Sequence, residues 1–194
     1  MITKTIELRQ FEECSKELQE KILEKHYDIN LDFSLTDYND TYTLMIEEQG
    51  FLNPEISYDL SYCQGSGACF DCTEFDFDKL LKNYKIKHKS WILSILKNYC
   101  QGRITRNYYA TYYEHENTRD FQLELYDNFT HPRIEKTMQD VRTYIEHLRY
   151  DTAHKVYKAL QEEYDYLSSP EAIKETLIAN DYYFNEQGEI DYAE

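Results

Sequence analysis

The feature that most constrains the fold is a long stretch of helical hydrophobic spacing near the C-terminus. Apolar residues recur at steps of three and four from Ile134 onward, and the pattern continues on a shifted face from Val156 to Leu167. Pro132 suits the first turn of a helix, where its missing N–H is not needed. The spacing predicts one helix over residues 133–167, on the order of 50 Å long at ~1.5 Å per residue. Its apolar stripe either packs on the chain's own sheet or forms the seam of a homodimer.

Alternating apolar and polar residues predict two β-hairpins upstream of this helix. The first joins a strand at Ile56–Tyr62 to one at Ala68–Cys72 through a turn at Gln64–Gly67. The second joins Ile104–Tyr113 to Phe121–Leu125. The Gly65-Ser66-Gly67 sequence lacks the lysine and the following helix of a phosphate-binding loop, so it indicates a turn.

Shorter elements complete the predicted fold. They are a strand at 3–8, helices at 11–26, 37–49, 80–100 and 169–179, and an edge strand at 182–190. The pattern predicts an α+β protein in which an antiparallel sheet of about four strands is covered by helices, with one long C-terminal helix. The length fits a single domain over 1–194. Residues 133–194 would then serve as a dimerisation or target-binding arm.

The charges of this chain are sorted into blocks. His26–Asp78 contains 12 Asp or Glu and no Lys or Arg, and Ala159–Glu194 contains ten acids and one base. Lys79–Lys158 carries 15 Lys or Arg against nine acids, and the whole chain has a net charge of −16. Such segregation creates a directional electric field. A field of this kind affects which partners the protein binds and does not determine its fold.

The composition also restricts the cellular location and the binding partners of the chain. A net charge of −16 opposes binding to anionic lipid or directly to nucleic acid. The longest apolar stretch, Trp91–Leu96, is too short to span a bilayer, and Thr3–Phe11 is too polar for a signal-peptide core. Five cysteines is an odd number that indicates reduced thiols. We therefore expect a cytoplasmic protein that binds neither membrane nor nucleic acid directly.

The cysteines allow one alternative, a zinc site made by Cys63, Cys69 and Cys72 with Cys100 or His88. A separation of three residues on a predicted strand directs Cys69 and Cys72 to opposite faces, which favours buried free thiols instead. We expect no metal and no cofactor. No local arrangement supports a Ser-His-Asp, Cys-His or paired-acid centre, so we also expect that the protein is not an enzyme.

The basic middle of the chain has two interpretations. Lys79–Lys89 is rich in lysine, and Arg103 and Arg106 are interleaved with tyrosines. Cations beside aromatic rings are typical of a single-strand nucleic-acid platform. The alternative, which the acidic neighbours favour, is that these cations solvate a helix end and pair with the acidic blocks, within one chain or across a homodimer.

Two segments carry a family resemblance. Residues 56–70 read ISYDLSYCQGSGACF, and residues 171–188 read EAIKETLIANDYYFNEQG. Together they resemble a group of small acidic phage and prophage proteins, in which a Ser-Gln-Gly-Asp-Gly-Ala-Cys-Phe hairpin precedes a Glu-rich helix that ends in a Tyr-Phe strand. This chain departs from the group at Cys63, where a Ser is usual, and at Ser66, which replaces the acid. The resemblance implies a mobile-element origin, and small acidic phage proteins are often anti-CRISPR or anti-restriction inhibitors of host defence.

The acidic blocks suggest how such an inhibitor would act. DNA-binding proteins meet phosphates with Lys and Arg, and CRISPR effectors hold nucleic acid in a basic channel. Carboxylates on a rigid surface can occupy such a channel, and nearby tyrosines can stack on arginine. The predicted partner-binding residues are Asp37, Asp40, Glu47, Glu48, Glu162, Glu163, Asp165, Tyr164 and Tyr166. The alternative is an acidic, solvated surface with no specific target.

Charge and resemblance together predict a phage-derived inhibitor of a host nucleic-acid-binding defence enzyme. A CRISPR–Cas effector is the first candidate target and a restriction enzyme the second. The inhibitor would act by DNA mimicry in the host bacterial cytosol, as a homodimer. Two alternatives remain open: a structural or regulatory phage module that binds proteins unrelated to nucleic acid, and a small zinc-binding protein or enzyme.

Overall fold

The computed structural model describes residues 7–31, 39–61, 63–108, 112–126 and 132–191. The chain is organised as two compact units. The terminal unit comprises Met1–Asp37 and Glu162–Glu194, and the central unit comprises Tyr38–Gln161. The prediction of one domain over residues 1–194 stays a prediction.

The protein is α+β, as the sequence predicts, with short antiparallel strands and a long C-terminal helix. The helices are α1 (Lys16–Lys25), α2 (Asn39–Glu47), α3 (Phe77–Leu80), α4 (Lys89–Tyr99), α5 (Pro132–Leu167) and α6 (Pro170–Ala179). The strands are β1 (Arg9–Gln10), β2 (Phe51–Leu52), β3 (Glu55–Asp59), β4 (Gly67–Asp71), β5 (Glu74–Phe75), β6 (Cys100–Arg106), β7 (Arg119–Leu125), β8 (Tyr183–Phe184) and β9 (Ile190–Asp191). Single 3₁₀ turns lie at Phe11–Glu13 and Glu116–Thr118.

Both predicted hairpins are present in the central unit, but the first strand of the second hairpin is Cys100–Arg106 and not Ile104–Tyr113 as predicted. Strand β3 pairs antiparallel with β4, and β6 pairs antiparallel with β7. The two ladders are joined at one bridge, where the N–H of Cys72 donates to the carbonyl of Ile104 at 3.0 Å and the reverse bond measures 2.7 Å. Two-residue strands β2 and β5 pair beside them and were not predicted.

An aromatic cluster underlies these strands. The rings of Phe51 and Phe70 have centroids 5.1 Å apart, and Phe75 contacts Phe51, Phe77 and Phe121 at centroid distances near 6 Å. Phe51 and Phe70 are fully buried. Burial of rings this large supplies much of the hydrophobic stabilisation of the central unit.

The helix predicted over residues 80–100 is confirmed only as α4, from Lys89 to Tyr99, because residues 81–88 form a non-helical break after α3 ends at Leu80. The seven residues between Leu81 and Lys89 include three lysines, and Tyr84 and Ile86 are their only large apolar side chains, so they offer too little apolar surface to hold another helical turn against a core. His88 adopts a left-handed backbone conformation with φ of 59°, which ends the break. The Nζ of Lys89 donates to the carbonyls of Leu81 and Lys82 and so closes it.

Helix α5 extends over 36 residues, which confirms the long helix. Its apolar stripe is buried within a single chain, and this favours packing inside the chain over the dimer seam. The buried members before residue 162 are Met138, Val141, Ile145, Ala153, Val156 and Leu160. Arg142 donates to the carbonyl of Leu123 on β7, and Tyr144 stacks on Tyr84 at a centroid distance of 4.3 Å.

The terminal unit combines α1, α6 and a three-stranded sheet of order β1–β8–β9. Ser15 and Ser169 cap the N-termini of the two helices through their hydroxyl oxygens. The core residues of this unit are Phe11, Cys14, Ile22, Ile173, Leu177 and Phe184. The strand predicted at 3–8 begins later, at Arg9, and residues 3–6 lie outside the described residues.

Candidate partner-binding surface

The predicted acids of the first block lie in the central unit, on and after α2. Asp37 lies outside the described residues. Asp40 is exposed in the first turn of α2, where a carboxylate favours the helix dipole, and Glu48 is exposed just beyond the last turn. Glu47 is half-buried, and its Oε1 accepts the N–H of Asn53 at 3.1 Å. Part of this set is therefore engaged in holding the turn after α2.

Asp71 of the same block and Glu114 of the basic middle pair with a buried arginine, Arg119. The side chain of Arg119 is 1% exposed, and its Nε lies 3.0 and 3.1 Å from the two carboxylate oxygens of Asp71. One terminal nitrogen of Arg119 donates to Glu114 Oε2 at 3.2 Å and to Ser57 Oγ at 3.3 Å. The other donates to Thr118 Oγ1 at 3.0 Å. The guanidinium thus ties β3, β4 and β7 together.

Glu114 bridges the buried Arg119 to the exposed Arg106. Partial burial alone raises the pKa of Glu114, but the hydrogen bond from Arg106, the hydrogen bond with Cys69 and the charges of Arg119 and Arg106 outweigh it and hold the pKa below its ordinary value. Glu114 is therefore a carboxylate at neutral pH, as a bridge between two guanidinium groups requires.

Ion pairs with acids of the same chain also engage two further cations of the basic middle. Lys97 pairs with Asp78, and Arg149, which is fully buried, pairs with Glu146 at 2.6 Å. Arg149 also donates to the carbonyl of Glu116 at 2.8 Å. The structure therefore shows pairing within one chain for Lys97 and Arg149.

The two units differ strongly in net charge. The terminal unit contains 19 Asp or Glu and six Lys or Arg, a net charge of −13. The central unit contains 18 acids and 15 bases, a net charge of −3. The field that the sequence blocks predict is thus concentrated in the terminal unit, although the first block alone holds 12 acids.

The second predicted set lies in the terminal unit, on the last turns of α5. Glu162 and Asp165 are exposed, while Glu163 and Tyr164 are half-buried. The ring of Tyr166 is 59% exposed. The two predicted sets therefore belong to different units, and within the terminal unit Tyr166 of the second set lines the same groove as Glu175 of α6.

A surface groove lies beside Tyr166 in the terminal unit. Its volume is about 340 Å³. One face of α6 forms its floor, and the lining residues are Asn30, Tyr166, Leu167, Ala172, Glu175, Thr176, Ala179 and Asn180. Asn30 fixes the geometry, because its Nδ2 donates to the carbonyl of Leu167 at 2.9 Å and its Oδ1 accepts the Thr176 hydroxyl at 2.7 Å.

Arg119 and the groove residues Asn30 and Thr176 are absent from the site candidates that the sequence indicated. A signal for Arg119 existed, since it shares the inward face of β7 with Leu123 by strand alternation. A cation at a core position requires acidic partners. Asn30 offered no comparable signal, because a turn asparagine is usually solvated.

All five cysteines are free thiols. Cys69 and Cys72 are buried, as expected, and burial raises the pKa of each thiol to about 11. Cys63 is exposed, which corrects the expectation of a buried thiol. Hydrogen bonds from the hydroxyl of Ser61 at 3.2 Å, then from that of Ser66 at 3.5 Å, lower the pKa of Cys63.

We expect Cys63 to react first when the folded protein meets iodoacetamide at pH 8. The thiolate is the reacting species, so a pKa below 9 against a pKa of about 11 gives at least ~100-fold faster alkylation than at Cys69 or Cys72. Peptide mass spectrometry at timed intervals measures this ratio. Ser61→Ala, which removes the main hydrogen bond, should slow Cys63 alone. Equal alkylation rates at Cys63 and Cys69 would contradict the exposed, hydrogen-bonded position of Cys63.

Within the described ranges, no group of three or more His, Cys, Asp or Glu residues is arranged to hold a metal ion. In the same part of the chain, no helix is both long and apolar enough to cross a membrane. No curated protein and no solved structure matches the chain. A family model matches residues 11–170, and the chain therefore belongs to the family described as Domain of unknown function (DUF8835).

Proposed function

We propose that this protein is a phage-derived inhibitor of a host nucleic-acid-binding defence enzyme and that it acts by acidic DNA mimicry in the host cytosol. A CRISPR–Cas effector is the first target class, and a restriction enzyme is the second. The observation that carries the proposal is the net charge of −13 on the terminal unit. The resemblance of residues 56–70 and 171–188 to acidic phage proteins supports the phage origin.

The mimicking carboxylates are those that stand exposed on helices of the terminal unit. Glu162 and Asp165 lie one turn apart on α5, and Glu171 and Glu175 lie one turn apart on α6. Helices hold such groups at fixed spacing, as a duplex holds its phosphates. Proteins that bind DNA present Lys and Arg at matching positions, so these carboxylates compete with DNA for the same cations.

Competition for DNA tests this proposal directly. Purified protein is added to a complex of a Cas9-type effector with guide RNA and labelled target DNA, and in parallel to a restriction enzyme with its site. We expect displacement of DNA that weakens as salt rises, because the Debye length falls from ~8 Å at 0.15 M to ~3 Å at 1 M. Displacement that ignores salt would contradict mimicry, and no displacement from either enzyme class would contradict the proposal.

Three double variants, each of which removes two negative charges, show which acids carry the effect. Glu162→Gln with Asp165→Asn should raise the concentration needed for half displacement by about tenfold, because two exposed ion pairs are lost. Asp140→Asn with Asp151→Asn removes the same charge from exposed positions of α5 in the central unit and should leave displacement nearly unchanged. Asp40→Asn with Glu48→Gln should have an intermediate effect. Equal losses from all three variants would show that only total charge matters.

A second candidate function is a structural or regulatory phage module that binds a protein unrelated to nucleic acid. The observation that favours it is the exposure of large apolar groups in the terminal unit, where Tyr27 is 54% exposed and Ile178 is 37% exposed. Protein interfaces are enriched in such aromatic side chains. The same competition assay separates the two candidates, since this module would not displace DNA from either enzyme class.

A further inference from the structure

We propose that the groove beside Tyr166 binds an arginine side chain of the partner. This inference rests on the proposed function and makes it more specific, because it names the residue type that the terminal unit recognises. Three features of the groove carry the argument: an exposed aromatic ring, an exposed carboxylate and the C-terminal ends of two helices. The charge of the surrounding unit, −13, supplies the complementarity.

The floor of the groove is a single face of α6. Ala172, Glu175, Thr176, Ala179 and Asn180 follow the spacing i, i+3, i+4, i+7 and i+8. The two alanines leave room above the helix, and the groove volume of about 340 Å³ is at the small end of the range of ~300–1,000 Å³ for binding sites. A groove of this size fits one long side chain.

The walls suit a cation. Tyr166 presents its ring with 59% exposure, and a guanidinium stacked on a tyrosine face is attracted by the ring quadrupole. Glu175 is exposed on α6 and offers a carboxylate that matches the planar guanidinium fork. Helix α5 ends at Leu167 and helix α6 at Ala179, so the negative ends of both helix dipoles border the groove.

Arginine fits this site better than lysine does. The guanidinium is planar and weakly hydrated, so it can stack on Tyr166 while it hydrogen bonds to Glu175, whereas an ammonium is a compact and strongly hydrated charge. Arginine is also the residue with which DNA-binding proteins most often read guanine. An inhibitor that holds such an arginine would occupy a group that the enzyme needs for DNA.

Fluorescence anisotropy with three labelled hexapeptides tests the inference. Hexa-arginine and hexalysine carry equal charge, and hexacitrulline keeps the shape of arginine without its charge. At 0.15 M salt we expect hexa-arginine to bind about fivefold more tightly than hexalysine, and we expect no binding of hexacitrulline. Equal binding of the two charged peptides would overturn the arginine site and indicate a general electrostatic attraction.

Variants of the groove residues test whether the peptide binds in the groove. Tyr166→Leu keeps an apolar side chain but removes the ring, and Glu175→Gln removes the charge. Each should weaken hexa-arginine binding about two- to fivefold and should reduce the preference over hexalysine. The control is Glu186→Gln, which removes an exposed carboxylate of the same unit outside the groove. A control loss equal to that of Glu175→Gln would overturn the inference.

The same variants distinguish failure of the groove from failure of the proposed function. If Tyr166→Leu and Glu175→Gln displace DNA as well as the unaltered protein does, while Glu162→Gln with Asp165→Asn does not, mimicry stands and the arginine site is wrong. If the unaltered protein displaces no DNA, the proposed function fails whatever the peptides do. Both groove positions are exposed, so thermal unfolding should confirm that these variants fold normally.

Discussion

Arg119→Met is expected to lower the free energy of unfolding by about 3 kcal/mol. The side chain of Arg119 is 1% exposed and satisfies two carboxylates that are themselves only partly exposed, Asp71 at 31% and Glu114 at 23%. Methionine fills the volume but leaves both acids without their shared cation. Urea unfolding of the purified proteins measures the change through the shift of the midpoint at constant slope.

Two controls separate the buried pairing from a general loss of charge. Arg103→Met removes an exposed guanidinium of the neighbouring strand, whose Nε bonds to Gln122 at 2.6 Å, and should cost less than ~0.5 kcal/mol. Adding Asp71→Asn to Arg119→Met should recover part of the loss, since the uncompensated charge of Asp71 disappears while Glu114 keeps its ion pair with Arg106. A loss below ~1 kcal/mol in Arg119→Met would contradict the role that we assign to this side chain.

The pH dependence of stability provides a further readout of the same site. Glu114 has a folded-state pKa below its ordinary value, so it contributes stability above the unfolded carboxyl pKa of ~4.3, and this stability is lost as pH falls through the folded pKa. We therefore expect the stability gap between the unaltered protein and Arg119→Met to close as pH falls below ~4. A gap that stays constant down to pH 2 would contradict this linkage.

Gly50→Ala is expected to destabilise the protein by about 3 kcal/mol or more. Gly50 has φ of 103°, which a residue with a Cβ avoids, and a Cβ built there would lie 2.6 Å from the carbonyl oxygen of Asp76 and 2.9 Å from the nitrogen of Leu80. Both atoms are backbone, so the relief of the clash must move α3. The N–H of Asp76 bonds to the Gly50 carbonyl at 2.8 Å, and this bond would be strained as well.

Gly188→Ala is the matched control for this prediction. Gly188 also has a positive φ, 73°, but its nearest neighbour is the side chain of Ile22 at 3.1 Å, which can shift. We expect a cost of ~1 kcal/mol there, mainly from the backbone conformation. Thermal or urea unfolding of both variants measures the difference. Equal costs at the two glycines would contradict the backbone clash at Gly50.

Local patterns in the sequence were sufficient for the longest elements. The steps of three and four after Ile134 predicted α5, because a long helix keeps its period whatever it packs against. Ser169 before Pro170 predicted the start of α6, since a serine cap and a proline in the first turn act within a few residues. The alternation in β3 and β7 predicted the two hairpins for the same reason.

Patterns over short range failed where contacts between distant residues decided the outcome. The helix predicted over residues 80–100 forms only from Lys89 onward, because helical propensity could not replace a missing apolar face over residues 81–88. Strands β2 and β5 have two residues each, too few to show an alternation, and they exist through their pairing with each other.

The candidate site, like the fold, was determined partly by the sequence pattern and partly by the tertiary structure. The sequence by itself determined that the chain is strongly acidic, with its charges in blocks, and that Glu162 to Tyr166 belong to the long helix. Only the tertiary structure decided which acids remain available. Asp71 of the first block pairs with Arg119 of the basic middle, 48 residues away along the chain. The terminal unit, by contrast, has a net charge of −13. The physical reason is that a carboxylate meets a cation through space, and a linear charge pattern does not record that distance.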